Sequence, residues 1–520
     1  MATLLHLGAI VRGHAFTTPD RIGAGDLERN LTYRQWNERA NRLANALLGL
    51  GLAKGDRVAV LAYNRIEWLE IYAAVAKAGL VVVPINFRLV APEILYIAQN
   101  CEARALIVED ALTGPVEQIR GDLPVAREAY IHIGPTTPAG YAGYEDLIAR
   151  AGPDEPAVAV APADPWALMY TSGTTGRPKG AIRSHGASAV LSLTTDVELG
   201  FSRRDTGLLV MPLCHANSLY FMGALVMCGA PVRVYNRPSF DPEHLLRALA
   251  DGVATFTSLV PTHFVMMLGL PQAVLDSVNP EKISKFMISS APARRDTKEA
   301  ILAYFRNSRL WELYGSTEQG WATMLQPEDQ FSKLGSVGRE CVGSLPIRLL
   351  DEQGRDVKPG EVGELWSATP YAFDGYWKLP DKTEAAFRGP HLSVGDMAWR
   401  DEEGFYYLVD RKSNMIISGG ENVYPSEVED VLGGHPAVKD VAVIGVPDKT
   451  WGEKVQAVVV PHEGAAVAVD ELMAWCRARL AGHKRPRGIA LIAQDEMPRT
   501  ATGKILHRVL RDRFADKDGG

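Results

Sequence analysis

The sequence predicts an α/β protein. It has a large N-terminal domain, residues 1–411, built on mostly parallel sheets covered on both faces, and a small α+β C-terminal domain, residues 412–520. Three observations predict it. Strands of buried character alternate with amphipathic helices from about residue 32 onward, the pattern of βαβ units and so of parallel sheets. Between Gly335 and Val409 the texture changes to short β-like pieces separated by turn signals, which marks residues 335–411 as a β-rich subdomain. After Arg411 the alternation begins afresh. A chain of 520 residues is also too long for one hydrophobic core.

The elements follow in order. Thr32 is placed to cap a helix running to about Leu50, with Trp36, Leu43, Ala46 and Leu47 on one stripe and Gly51 ending it. Arg57–Ala62 reads as a strand, Glu67–Ala78 as a helix and Leu80–Ile85 as a strand. A helix at Pro92–Asn100 and a strand at Ala103–Val108 continue the series. Residues 134–165, rich in Pro, Gly and Ala, read as a surface connection. The rhythm resumes with strand Gly207–Met211, helix Ser218–Cys228, strand Pro231–Tyr235 and helix Pro242–Leu249. Strands Ala254–Leu259 and Lys285–Ser289 and helix Ala293–Phe305 follow. The C-terminal part reads as helix Ser426–Leu432, strands Val441–Val446 and Lys454–Val460, helix Val469–Leu480 and a last helix from Ile505.

One stretch is unlike the rest: Tyr170-Thr171-Ser172-Gly173-Thr174-Thr175-Gly176-Arg177-Pro178-Lys179-Gly180-Ala181. Apolar runs on both sides make it a loop between two strands. Its glycines let backbone N–H groups approach a ligand, its hydroxyls add donors and Lys179 adds a point charge, which together form a polyphosphate cradle. It is not a Walker A, because Lys179 is followed by Gly180 and a β-like segment rather than by Ser or Thr and a helix. No Gly-x-Gly-x-x-Gly opens a βαβ unit, so a dinucleotide oxidoreductase has no support.

Composition excludes other classes. A net charge of −7 offers no basic excess for nucleic-acid phosphates. The five cysteines, Cys101, Cys214, Cys228, Cys341 and Cys476, are scattered without a Cys-x-x-Cys, which fits reduced thiols rather than a disulfide framework or zinc site. No apolar stretch is long enough to span a bilayer, and residues 1–15 lack the charge pattern of a signal peptide. A soluble, cytoplasmic protein is expected.

Further along, Trp311-Glu312-Leu313-Tyr314-Gly315-Ser316-Thr317-Glu318 sets a carboxylate after a strand and a tight glycine turn, where Mg²⁺ could be held against phosphates. Together with the glycine-rich loop it resembles the two signatures of the adenylate-forming superfamily, which includes acyl-CoA synthetases, luciferases and peptide-synthetase adenylation domains. The resemblance runs in order from Tyr170 to Ile505. It implies that Thr171, Ser172, Gly173, Thr174, Thr175 and Lys179 hold the phosphates of ATP. Tyr314 and Gly315 would lie along the adenine, Thr317 would approach the α-phosphate and Glu318 would bind the metal. Ser289-Ser290-Ala291-Pro292 resembles the adenine-flanking turn, with serines where the family has glycines, so Ser290, Ala291 and Pro292 join the nucleotide set. Asp396 and Arg411 match the ribose clamp.

The same resemblance makes the C-terminal domain mobile about a hinge at Ser413, where relatives usually carry Asp or Lys. It assigns Gly419, Gly420, Glu421 and Trp451 to coenzyme A and Lys504, in Pro498-Arg499-Thr500-Ala501-Thr502-Gly503-Lys504, to catalysis of adenylation. The basic run His483–Arg487 has two open readings, a seat for CoA phosphates or a solvated loop. His215 would gate the thiol channel. The acyl pocket is expected to be lined by apolar residues near Leu219, Tyr220, Phe221, Leu259, Thr262 and Phe264, with Asn217 the one polar feature placed to read the substrate.

The function implied is an AMP-forming acyl-CoA synthetase that activates a hydrophobic acid, fatty or aromatic, with ATP, Mg²⁺ and CoA. A stand-alone adenylation enzyme loading a carrier protein is the alternative. A luciferase-like oxygenase and a regulator without catalysis stand further off, and a homodimer is left open.

Overall fold

The computed structural model describes residues 6–171, 178–289, 293–412, 414–418, 421–448, 451–465, 467–499 and 505–515. By packing, the chain divides into two compact units: residues 1–346 with 367–392, and residues 347–366 with 393–520.

The first unit carries two large sheets. In the eight-stranded one, Ala103–Glu109, Arg57–Leu61, Val81–Ile85 and Pro165–Thr171 lie parallel, and Lys179–Ser184 and then Gly375–Tyr376 add antiparallel strands at one edge. In the nine-stranded sheet, Val232–Val234, Gly207–Leu209, Phe256–Leu259, Lys285–Ile288 and Arg309–Ser316 are parallel, and Gly320–Leu325 turns back antiparallel. The expected doubly covered, mostly parallel architecture is present.

Local chemistry explains the elements. Thr32 caps helix Tyr33–Gly49 reciprocally: its Oγ1 accepts from Gln35 N at 3.2 Å, and Gln35 Oε1 accepts from Thr32 N at 2.9 Å. Helix Glu67–Lys77 is buried all round, so it carries no polar face. Its Glu70 survives burial by pairing with Arg39 at 2.7 Å and accepting from Tyr144 Oη at 2.8 Å.

That contact corrects one expectation. Residues 134–165 are not simply a surface connection, because they contain strand Ala142–Gly143 and helix Tyr144–Arg150, and the fully buried Tyr144 pins them to the core. Helices Leu7–Thr17 and His185–Leu199 and strand Ile22–Gly25 also went unread in the sequence.

In the second unit, strands Gly363–Ala368, Asp396–Arg400 and Tyr406–Arg411 pair antiparallel. Long strands Val438–Asp448 and Gly452–Pro461 form the centre of a further sheet. One face of that sheet packs on helices Pro425–Gly433 and Val469–Arg477, through Val428, Leu432 and Leu472. The other face packs on Met497 and Leu510. The β-rich stretch 335–411 is thus shared between the units: strands 393–411 pack with the C-terminal elements, while 367–392 returns to the first unit.

A buried ion pair braces the strand that leads to the Tyr314–Glu318 turn. Lys298 Nζ lies 2.5 Å from Glu312 Oε2, with side chains 0% and 4% exposed. Glu312 Oε1 also accepts from Ala293 N at 3.3 Å, just after residues 290–292. Burial pushes the Glu312 carboxyl up and Lys298 draws it back. Lys298→Met leaves that carboxylate uncompensated and is expected to cost about 3–5 kcal/mol in guanidinium unfolding. Adding Glu312→Leu should recover much of the loss.

Candidate active site

The glycine-rich segment sits where the sequence reading put it, between strands Pro165–Thr171 and Lys179–Ser184. These pair with each other so that Thr171 faces Lys179 across the ladder. Ser172, Gly173, Thr174 and Thr175 lie outside the described residues. The two ends of the segment are firmly held: Tyr170 Oη donates to Asn100 Oδ1 at 2.6 Å, and Tyr96 Oη donates to Pro178 O at 3.1 Å.

Facing this hairpin is the turn between Arg309–Ser316 and Gly320–Leu325. Gly315 is required there, because a Cβ would stand 2.1 Å from Gly320 O. The turn presents Glu318, only 6% exposed. Its Oε1 accepts from Thr171 Oγ1 at 3.2 Å and from Tyr376 Oη at 3.0 Å. Lys179 Nζ lies 4.0 Å from the centroid of the same Tyr376 ring, within cation–π range. Tyr376 therefore holds both the carboxylate and the cation.

Among the described residues no donor reaches Glu318 Oε2, and no cluster of three or more His, Cys, Asp or Glu occurs. Mg²⁺ is commonly bound through one or two carboxylates plus substrate phosphates, without an all-protein cage. One oriented carboxylate beside a cation-bearing hairpin fits that mode.

Under the turn lies Arg183, fully buried. Its Nη1 points at the carbonyls of Thr317 (3.4 Å) and Glu318 (3.5 Å), and its guanidinium lies 5.2 Å from the Tyr220 centroid. Tyr220 Oη donates to the same Thr317 carbonyl at 3.0 Å. Neither Arg183 nor Tyr376 was singled out in the sequence. The run Phe373-Asp374-Gly375-Tyr376-Trp377 was the available signal for the tyrosine. Nothing local marks Arg183 beyond a charge inside an apolar strand.

His215 caps helix Ala216–Cys228. Its Nε2 is enclosed without a partner, and burial, aided by Arg88, pushes the imidazole down to about 4, so it is neutral near pH 7. Asn217 Nδ2 donates to Ser258 Oγ (3.2 Å) and Ser289 Oγ (2.9 Å). The other expected pocket residues divide. Leu219, Tyr220 and Phe221 belong to the main core, Phe221 packing on Phe256 and Trp321, whereas Leu259 and Phe264 belong to a second core. Thr262 is exposed. Ser290, Ala291 and Pro292 lie outside the described residues, while Tyr314 is 8% exposed at its strand end.

In the second unit, Asp396 and Arg411 are cross-strand partners with Nε 3.1 Å from Oδ1. Strands Ile416–Ser418 and Glu421–Val423 pair, Ser418 opposite Glu421. Gly419, Gly420, the Glu421 side chain and Ser413 lie outside the described residues. Ser418 also pairs with Gly452, next to Trp451. Trp451 is 38% exposed, and the Arg487 guanidinium stacks 3.6 Å from its ring centroid. The structure thereby joins the basic run to the aromatic. Lys504 lies outside the described residues as well. On either side of it in the chain, Arg499 and Ile505 form a bridge, and Arg499 pairs with Asp440.

Two α/β sheets that bring a Gly/Ser/Thr hairpin and a Tyr-Gly-x-Thr-Glu turn to one carboxylate define an adenylate-forming enzyme. Residues 11–377 match the AMP-binding enzyme family model, and residues 427–504 match the model of that family's C-terminal domain. The chain is 33% identical to the indoleacetate–CoA ligase of Aromatoleum aromaticum, over 99% of each chain. It is 35% identical to the long-chain-fatty-acid–CoA ligase FadD13 of Mycobacterium tuberculosis, over 98% of this chain and 99% of that protein. Its fold is similar to ATP-bound MatB from Rhodopseudomonas palustris, with a TM-score of 0.89, 29% identity and 99% of each chain covered. The chain belongs to the AMP-binding enzyme family.

Two outcomes follow from this geometry. Tyr376→Phe removes one of the two donors that orient Glu318 and is expected to weaken Mg²⁺ binding in the presence of ATP by about 10- to 100-fold, read by titration calorimetry. His215→Gln tests the buried neutral imidazole. The folded wild type refuses a proton that the unfolded chain accepts between pH 6.5 and about 4, so stability falls as pH drops through that window. The variant should lose less stability than wild type over the same range in urea denaturation.

Proposed function

We propose that this chain joins a hydrophobic carboxylic acid, fatty or aromatic, to the thiol of CoA through an acyl-adenylate. In class it is an ATP-dependent, AMP-forming carboxylate–CoA ligase with ATP, Mg²⁺ and CoA as its co-substrates. The observation that carries the reading is that Thr171 and Tyr376 both donate to Glu318 while Lys179 lies over the same Tyr376 ring.

A carboxylate is a poor electrophile, so its oxygen first attacks the α-phosphorus of ATP and pyrophosphate leaves. The CoA sulfur then attacks the acyl carbonyl and AMP leaves. Both steps build charge on oxygen, which preoriented donors stabilise, typically by about 10²–10³ in rate per donor. In this reading Lys179 and the hairpin hydroxyls hold phosphate oxygens, and Tyr314 and Gly315 border the adenine. Asp396 and Arg411 meet the ribose diol. Bound at Glu318, Mg²⁺ would neutralise phosphate charge. Neutral His215 can flank an uncharged channel without adding a cation to it.

We assign the second step to the Gly419–Gly420 segment and Trp451, whose ring already carries Arg487 as a cation for CoA phosphates. Lys504 serves the first step by bridging carboxylate and α-phosphate oxygens. Residues 412–520 turn about Ser413 between the two steps, a hinge in the sense of known domain closures. No helix among the described residues is long and apolar enough to cross a membrane. The five free cysteines support a reducing, cytoplasmic setting.

The test is pyrophosphate release with a panel of carboxylic acids, with and without CoA. Continuous, acid-dependent turnover only with CoA is expected. Release that stops near one equivalent unless a carrier protein is supplied would replace CoA by that partner. Lys504→Ala should abolish pyrophosphate release yet spare thioester formation from preformed acyl-AMP. Gly419→Leu should do the reverse. Equal loss of both steps in a folded Lys504→Ala protein would remove the lysine from its assigned role.

A further inference from the structure

Two buried serines and the half-buried Asn217 meet beside the apolar residues expected to receive the acyl group. Asn217 lies in the first turn of helix Ala216–Cys228, Ser258 near the end of strand Phe256–Leu259, and Ser289 just after strand Lys285–Ile288. The serines are 5% and 2% exposed. Asn217 Nδ2 donates to both hydroxyls, and the two hydroxyl oxygens are 3.3 Å apart. The same helix places Tyr220 on the Thr317 carbonyl, and Ser289 directly precedes the segment read as adenine-flanking. The cluster therefore adjoins the nucleotide turn on two sides.

The hydrogen-bond count within the cluster does not close. Both amide protons of Asn217 go to the serines, and one hydroxyl proton bridges Ser258 and Ser289. The other hydroxyl proton has no acceptor among the described residues. Asn217 Oδ1 is enclosed and has no partner. One acceptor and one donor are thus left over in an apolar setting, where unpaired polar groups are costly. An alkyl chain or unsubstituted ring satisfies neither. A hydroxyl satisfies both, because it donates to the amide oxygen and accepts from the serine. Turning the amide over exchanges an acceptor for a donor, and a hydroxyl still matches it.

We propose that the acid this enzyme activates carries a hydroxyl on its acyl group, and that Asn217, Ser258 and Ser289 recognise it. This rests on the ligase reading above and narrows its substrate class from hydrophobic acids to hydroxylated ones, phenolic or aliphatic. Asn217 acts here as a specificity determinant.

The experiment measures kcat/KM for pyrophosphate release in the presence of CoA. It uses matched pairs of acids that differ only by a hydroxyl: hydroxycinnamic against cinnamic acids, hydroxyphenylacetic against phenylacetic, and hydroxylated against plain fatty acids. In at least one pair the wild type should prefer the hydroxylated acid by about tenfold or more. Asn217→Leu should bring that ratio close to one, and Ser258→Ala should lower it, so that the result does not depend on one variant folding. Ratios near one in every wild-type pair would overturn the inference and leave the ligase standing, with an ordered water closing the cluster. A preference that survives in folded Asn217→Leu protein would also overturn it. No release with any acid would instead overturn the ligase reading itself.

Discussion

A carboxylate that is 6% exposed must be held, and how Glu318 is held organises the first unit. It belongs to a turn of the nine-stranded sheet, yet both hydroxyls that bind it, from Thr171 and Tyr376, belong to the eight-stranded one. Glu318 therefore links the two sheets through the hydrogen bonds it accepts from both hydroxyls. Arg183 reinforces the coupling from below, since it sits in the hairpin's own return strand and points at the carbonyls of Thr317 and Glu318.

Much of this was legible in the chain because it is local. The apolar runs around residues 170–181 announced two strands, and their pairing brings Thr171 opposite Lys179. The Thr32 cap, the buried helix Glu67–Lys77 and the alternation through Ala103–Glu109 all follow from neighbouring residues and short periodicities. Asp396 and Arg411 likewise fall opposite one another on adjacent antiparallel strands.

What was not legible depends on contacts across long stretches of chain. Tyr376 reaches Glu318 over 58 residues, and Ser289 reaches Asn217 over 72. No periodicity records such meetings. The apolar residues grouped as one pocket in the sequence were equally ambiguous. Phe221 and Phe264 look alike in composition, but helix Ala216–Cys228 faces the main core and helix Pro261–Leu268 a second one. Burial pattern alone does not say which core a residue joins. Residues 134–165 misled for the opposite reason: Pro, Gly and Ala suggested a connector, while Tyr144 ties its middle to Glu70 in the interior.

The division of the chain into 1–346 with 367–392, and 347–366 with 393–520, has a consequence for how the protein is made. During synthesis the first unit cannot close until residues 367–392 have left the ribosome, because they supply Tyr376 and the edge strand beside Lys179–Ser184. Residues 347–366 emerge earlier but must wait for strands beyond 393. Vectorial folding therefore has to hold two incomplete pieces open at once, and the Tyr314–Glu318 turn gains its Tyr376 contact only when the later piece docks. A contiguous N-terminal fragment ending near residue 366 would contain both signature motifs and still lack the tyrosine that orients Glu318. Fragments for separate expression, or points for protease nicking, would have to respect three chain crossings rather than a single linker.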